Sequence, residues 1–308
     1  MAEGGTDGSG MTPVRGETEL SVVIVTYNTA DLIGPCLASV TEGQDLPLEI
    51  FVVDNASSDG GADLVRAEFP RVRLVRNSGN RGFGAANNQV LGECRGRYIL
   101  LLNPDTVVPP GALREMVAYM DAHPRVGLAG PKLLQPDGSR QDSVSFRYPG
   151  EKHASSETEG LAGTIACVMG SCQIVRPDLM REVGGFDEDF FLYGEDQDLC
   201  LRIRKRGYAI GCVESAEVMH YGGKSERGFP PADVWRKKMA AEYLFYRKHY
   251  LPDTIRRIAR AHRLRAAWRL SVLGCTLPFT RDREAVSAKQ GKYRALRDAA
   301  RRWMAENG

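Results

Sequence analysis

The 308-residue sequence predicts an α/β fold, a mostly parallel doubly wound sheet with a helical extension at its C-terminal end. Three observations carry that prediction. Short apolar, β-branched runs alternate with stretches of helical spacing. Each run ends in a loop rich in Asn, Asp and Gly, as parallel strands do at their carboxyl ends. Beyond residue 233 the alternation gives way to basic sequence with helical spacing.

The elements follow in order. Residues 20–26, Leu-Ser-Val-Val-Ile-Val-Thr, read as a strand buried on both faces, ending at Tyr27-Asn28. Leu32, Ile33, Cys36, Leu37 and Val40 then keep helical spacing over 31–43. A second strand, Leu48–Val53, ends in Asp54-Asn55-Ala56-Ser57-Ser58-Asp59-Gly60 and is followed by a helix over 62–69. A third strand over 72–75 leads through a Gly/Asn-rich loop to a helix over 83–94. The next run, Tyr98–Leu102, stops abruptly at Asn103-Pro104-Asp105, because Pro104 cannot donate to a sheet ladder. Right-handed crossovers would place Tyr27, Asp54, Asn80 and Asp105 along one edge of the sheet, where open α/β sheets bind ligands. Tyr27 could cover a base, Asp54 accept a base or ribose hydrogen bond, and Asp105 hold a divalent cation. Taken alone, Asp105 reads equally well as the cap of a following helix.

The loop Asn80-Arg81-Gly82-Phe83-Gly84-Ala85-Ala86-Asn87-Asn88 superficially resembles a dinucleotide fingerprint. Its third position is Asn87, and residues 77–81 separate it from the strand, so nicotinamide binding is a weak reading. The expectation is that the glycines admit a ligand close to backbone while Asn80, Arg81 and Asn87 donate to sugar or phosphate. A Gly-hinged helix start capped by Asn is the alternative.

After a helix over 111–123 and a strand from Val126, residues 136–163 lack periodicity and read as a mobile lid or a surface insertion. Cys167–Val175, which contains Gly170 and Ser171, returns to a strand pattern. Six carboxylates then lie between 187 and 198, among Phe186, Phe190, Phe191 and Tyr193. Such aromatics imply partial burial, which raises a carboxylate pKa and suits one of the six to general-base work. Glu195 and Asp196 fall in the first turn of a helix, where the dipole favours acids. His220 follows a short strand at 209–213. Its imidazole could complete an acidic metal site, with Lys224 or Ser225 meeting a phosphate.

The composition is that of a globular protein, 43% hydrophobic and 26% charged, and seven scattered cysteines suggest reduced thiols. Residues 1–18 read as a disordered tail with no signal peptide, and no run is long enough to span a bilayer. The expectation is therefore a cytoplasmic protein. The net charge of +2 conceals an asymmetry: 233–308 holds nineteen Lys/Arg against seven Asp/Glu, leaving 22 basic and 32 acidic residues in 1–232. Arginines among Ile, Ala, Leu and Trp268 over 254–302 read as an anionic-membrane-surface helix on the inner face of the plasma membrane. A solvated hairpin that forms a homodimer is the alternative, and no nucleic-acid motif accompanies the charge.

In this order the motifs resemble the family 2 glycosyltransferases of the GT-A fold, particularly the rhamnosyltransferase-like branch. The pieces are Val23-Ile24-Val25-Thr26-Tyr27-Asn28, Val53-Asp54-Asn55-Ala56-Ser57-Ser58-Asp59-Gly60, Asn80-x-Gly82-Phe83-Gly84-x-x-Asn87-Asn88, Leu102-Asn103-Pro104-Asp105, Gly185-Phe186-Asp187-Glu188 with Glu195-Asp196-x-Asp198, and His220-x-x-Gly223-x-Ser225. The resemblance implies a catalytic domain over 19–232 and a basic extension over 233–308. It implies an inverting transfer of one sugar, L-rhamnose from dTDP-L-rhamnose, onto a saccharide or lipid-linked acceptor, with Mg2+ or Mn2+. Another UDP- or dTDP-sugar, or a non-catalytic nucleotide-sugar-binding homologue, is the alternative. Donor contacts fall on Thr26, Tyr27, Asn28, Asp54, Asn80, Arg81, Gly84, Asn87 and Asn103, and Gly170, Ser171, Tyr193 and Glu195 line the acceptor side. Asp196 is the implied base, with Asp105 and His220 at the metal. Asn103 replaces the first Asp of the family's Asp-x-Asp, leaving Asp105 as the main metal carboxylate. Absence of the processive synthases' Gln-x-x-Arg-Trp motif implies single transfer.

Overall fold

The computed structural model describes residues 18–222, 230–277, 280 and 282–307. The expected tail over 1–18 falls almost wholly outside them, and Lys224 and Ser225 fall outside entirely. The first half of the chain alternates as the sequence suggests: β1 (Leu20–Thr26), α1 (Ala30–Thr41), β2 (Leu48–Asp54), α2 (Gly61–Glu68), β3 (Arg73–Arg76), α3 (Phe83–Leu91) and β4 (Tyr98–Leu102). These four strands are parallel in the order β3-β2-β1-β4. Every residue of β1 is buried because successive side chains feed opposite faces. Val22 and Ile24 pack with Ile33 and Leu37 of α1, while Val23 and Val25 pack with Ala86 and Val90 of α3. Each such aliphatic side chain contributes about 1.5–3 kcal/mol on burial, and a two-faced strand collects that on both sides.

Beyond β4 the chain forms β5 (Thr106–Val107), α4 (Ala112–Ala122), β6 (Val126–Leu134), β7 (Arg140–Gln141), β8 (Val144–Ser145), the short α5 (Ser155–Thr158), β9 (Cys167–Val168), β10 (Cys172–Val175), α6 (Pro177–Glu182), α7 (Glu195–Lys205) and β11 (Ala209–His220). β10 runs antiparallel between β4 and β6, β11 pairs parallel with β6, and β5 closes the edge against β11. β5, β7 and β10 run against the other strands, which makes the sheet mixed while keeping the carboxyl edge of β1, β2 and β4 intact. β11 is longer than the 209–213 run suggests. A register shift between Val213 and Glu217 absorbs extra residues and lets the strand continue to His220.

Of the lid or surface insertion expected at 136–163, the stretch around 148–154 is packed in place, while 136–140 and 145–147 are exposed. Tyr148 and Ala154 are buried against α8 (Pro231–His249) and α9 (Pro252–Thr276), in a cluster with Phe190, Phe245, Tyr246 and Ile258 that Trp303 of α10 (Arg283–Asn307) completes. Gly150 explains the close fit: at φ +68° it lies where a Cβ would stand 2.6 Å from Ile258 Cδ1. Sequence periodicity misses this because the burying partners lie about a hundred residues downstream. Among the described residues, no helix is long and apolar enough to cross a membrane.

Candidate active site

The loops after β1 and β2 interlock. Asn28 N–H donates to Ser57 Oγ (3.0 Å), Ser58 N–H donates to Asn28 Oδ1 (2.9 Å), and Ala30 N–H at the start of α1 donates to Asp59 Oδ2 (2.7 Å). Asn28 and Ala56 hold left-handed φ of 53° and 68°, a cost tolerated where surroundings fix the backbone and common at functional sites. Tyr27, at the end of β1, is 47% exposed. Asp54 is buried and takes Ser57 N–H at 3.2 Å, and Thr26 is spent on a hydroxyl pair with Thr29. Asp54 and Thr26 therefore shape the platform.

Asn55 is the hub that residue-by-residue reading overlooked. It donates to Asn80 Oδ1 (2.9 Å) and accepts from Asn77 and from the Arg81 N–H, both at 3.0 Å. Asn80 Oδ1 also takes Gly82 N–H at 2.9 Å, so Asn80 acts on the loop itself. The two glycines meet protein, where a ligand was expected. A Cβ on Gly82 would lie 2.7 Å from Phe191 O, and one on Gly84 would lie 2.9 Å from Phe186 Cβ. Asn88 closes the seam by donating to Phe186 O and accepting Phe186 N–H, each at 2.9 Å. The Gly-Asn loop and the Gly-Gly-Phe-Asp segment are thus two halves of one joint. Asn87 is 1% exposed with its amide committed to Phe83 O, so it is not presented to a ligand.

At the end of β4, Asn103 N–H donates to Ser171 O (2.8 Å) and the chain turns so that Asp105 is buried. The β5–β11 pairing sets His220 opposite Thr106, with His220 Nε2 3.4 Å from Asp105 Oδ1. On its other side His220 Nδ1 lies 3.1 Å from Gln141 Oε1. If Nδ1–H donates to that oxygen, the ring's Nε2 lone pair faces a carboxylate oxygen that has no hydrogen-bond partner among the described residues. Two acceptors facing each other across a buried gap fit a cation. Among the described residues no three His, Cys, Asp or Glu side chains converge, so Mg2+ or Mn2+ held by Asp105 and His220 would take its other ligands from water and phosphate.

The structure also sorts the acidic cluster. Asp187 and Asp189 pair with Lys248 of α8 at 2.8 and 2.6 Å, and Glu188 takes a hydrogen bond from Asn88. Asp198 binds Arg202 at 2.6 Å and His249 at 2.7 Å. Burial alone would raise the Asp198 pKa, but those two partners outweigh it and hold it below the usual value. Asp198 thus ties α7 to α8, and Asp187 and Asp189 tie the loop before α7 to α8. Glu195 and Asp196 remain, delivered by left-handed Tyr193 (φ 72°) and Gly194 (φ 83°) to the first turn of α7. Asp196 Oδ2 accepts Gly170 N–H at 3.2 Å and its Oδ1 accepts Gln197 N–H at 2.8 Å. Burial raises its pKa despite both bonds. Burial pushes Glu195 up to about 8, with the Asp196 charge adding to it. Both acids line a cleft of about 320 Å³ with Tyr193, Trp235 and Lys238. The Gly170-Ser171 turn thus touches Asp196 on one side and Asn103 on the other, drawing the acid of α7 to the mouth of β4.

Residues 21–184 match the family described as Glycosyl transferase family 2. The chain belongs to glycosyl transferase family 2. This family 2 chain is 31% identical over 256 residues to the N-acetylglucosaminyl-diphospho-decaprenol L-rhamnosyltransferase of Mycobacterium tuberculosis, covering 73% of this chain and 83% of that one. Its fold is similar to that of the mannosyltransferase PcManGT from Pyrobaculum calidifontis in complex with GDP-Man and Mn2+, with a TM-score of 0.59 at 20% identity, covering 97% of this chain and 91% of that one. S. aureus TarS 1-349 in complex with UDP superposes with a TM-score of 0.52 at 16% identity, covering 94% and 92%. The family 2 glycosyltransferase fold is therefore GT-A, with three helices appended.

In this glycosyltransferase the residues that sequence reading passed over are Asn55, Gln141 and the α8 pair Trp235 and Lys238. Asn55 stands inside a quoted motif and was legible there. Gln141 had no local signal, because its role exists only once β7 folds beside β11 through β6.

Proposed function

We propose that this glycosyltransferase moves a single L-rhamnose from dTDP-L-rhamnose onto a hydroxyl of a lipid-linked saccharide, with inversion at the anomeric carbon. The observation that carries the reading is Asp196: a carboxylate of raised pKa, held by two backbone N–H groups in a cleft and tied through the Gly170–Ser171 turn to Asn103, two residues before Asp105. The mycobacterial relative's name supports the sugar and the acceptor class. Tyr27 covers the donor's base, and the platform around Asp54 and Asn55 holds its ribose. Mg2+ or Mn2+ at Asp105 and His220 would neutralise the departing diphosphate. The acceptor hydroxyl gives its proton to Asp196 as its oxygen attacks the anomeric carbon, and a single displacement with one base inverts that centre.

The test is transfer from a panel of dTDP-, UDP- and GDP-sugars to an N-acetylglucosamine carried on a short polyprenyl diphosphate, with the product linkage read by NMR. The expected result is an inverted product from dTDP-L-rhamnose that disappears with EDTA and returns with Mn2+. A retained configuration, or preference for a different sugar, overturns the corresponding part of the proposal.

A further inference from the structure

The outward side of α9 carries an arrangement that the catalytic reading does not use. Leu264, Trp268 and Val272 are 74%, 60% and 38% exposed, and they recur every four residues along a single face. A helix face that packs on protein is buried, and α9 has such a face: Ile255, Ile258, Ala259 and Ala266 enter the protein on the opposite side. Among the described residues the exposed apolar stripe is therefore a second, unpartnered face. Arg260, Arg263 and Arg265 are exposed around it, and the Arg269 guanidinium lies 4.6 Å over the Trp268 ring. Over 252–276 the helix holds six arginines and one acidic residue, Asp253. It is not apolar enough to span a bilayer. An apolar stripe with a tryptophan, flanked by arginines whose stems reach across to anionic headgroups, has the chemistry of a helix lying in a bilayer interface.

We infer that α9 docks this glycosyltransferase flat on an anionic lipid surface, with Leu264, Trp268 and Val272 inserted among the acyl chains and Arg260, Arg263 and Arg265 on the headgroups. Charge complementarity selects the occupant. The extension is strongly basic while residues 1–232 carry ten more acidic than basic groups, so an anionic surface attracts α9 and repels the remainder, fixing orientation as well as binding. A second copy meeting this face would bring two rows of arginines together. The inference is independent of which sugar is moved.

The test uses the full-length protein with vesicles of phosphatidylcholine containing phosphatidylglycerol. Trp268 is the exposed member of three tryptophans, since Trp303 is buried and Trp235 is half-buried, so it dominates the fluorescence response. Emission is expected to shift to the blue with anionic vesicles, but not with phosphatidylcholine alone. The double variant Leu264→Ser/Trp268→Ser is expected to partition at least tenfold more weakly, with its thermal midpoint unchanged because both side chains are exposed. A charge variant, Arg260→Glu/Arg265→Glu, is expected to lose binding to the same vesicles. Equal sedimentation of parent and double variant overturns the inference. So does a parent that ignores vesicles but forms dimers that the double variant dissolves, which would assign the stripe to a second copy.

Discussion

Replacing Asp196 by Asn tests the chemical centre most directly. The exchange removes the proton-accepting capacity while nearly preserving size. Positioned general bases contribute about 10²–10⁴ in rate, corresponding to about 3–5 kcal/mol of barrier. The structure also predicts a side effect. Both carboxylate oxygens accept a backbone N–H, from Gln197 at 2.8 Å and Gly170 at 3.2 Å, whereas an amide accepts on one atom only. One donor is then left facing an NH2, a local cost of about 1 kcal/mol. Removal of a buried charge acts in the opposite direction, so global stability is expected to change little. The assay measures kcat at saturating donor and acceptor, with donor-nucleotide affinity measured separately by calorimetry. A hundredfold or larger fall in kcat, with affinity within about threefold of the parent, is expected. Turnover within tenfold of the parent refutes the assignment. A parallel collapse of donor binding would make Asp196 a donor-positioning residue instead.

Four further variants test the surrounding structure. Asp105→Asn is expected to weaken Mn2+-supported binding of a nucleoside diphosphate at least tenfold by calorimetry. Gln141→Leu, which frees the His220 ring, should weaken the same binding by about 10–100-fold, and unchanged affinity in both variants removes the metal from that pair. Because Glu195 is pushed up to about 8 in the folded protein from an ordinary 4.5, the folded state binds the extra proton between those values, so its contribution to stability is lost as pH rises toward 8. Glu195→Gln is therefore expected to flatten the fall in thermal midpoint between pH 5 and 8, and an unchanged slope would place the proton elsewhere. Gly84→Ala gains about 1 kcal/mol of helix propensity but drives a methyl to 2.9 Å from Phe186 Cβ, an overpacking cost of about 1–3 kcal/mol. Net destabilisation on urea denaturation is expected, and a stabilised variant would show that the joint between the Gly-Asn loop and the Gly-Gly-Phe-Asp segment is loose.

By itself the sequence determined the alternation of strands and helices, the stop at Asn103-Pro104-Asp105, and the family. These follow from local causes: strand periodicity, the missing N–H of Pro104, and motifs read along a few residues. The acidic run shows where that reading ends. Helix position and motif single out Glu195 and Asp196 among the six acids, but tertiary contacts decide that Lys248, His249 and Asn88 occupy Asp187, Glu188, Asp189 and Asp198. The packing of Tyr148 and Ala154 on α9 and the hold of Gln141 on His220 were hidden for the same reason. Carboxylate pKa, burial and hydrogen-bond partner depend on what the folded chain brings within a few ångströms, and residues far apart in sequence supply it.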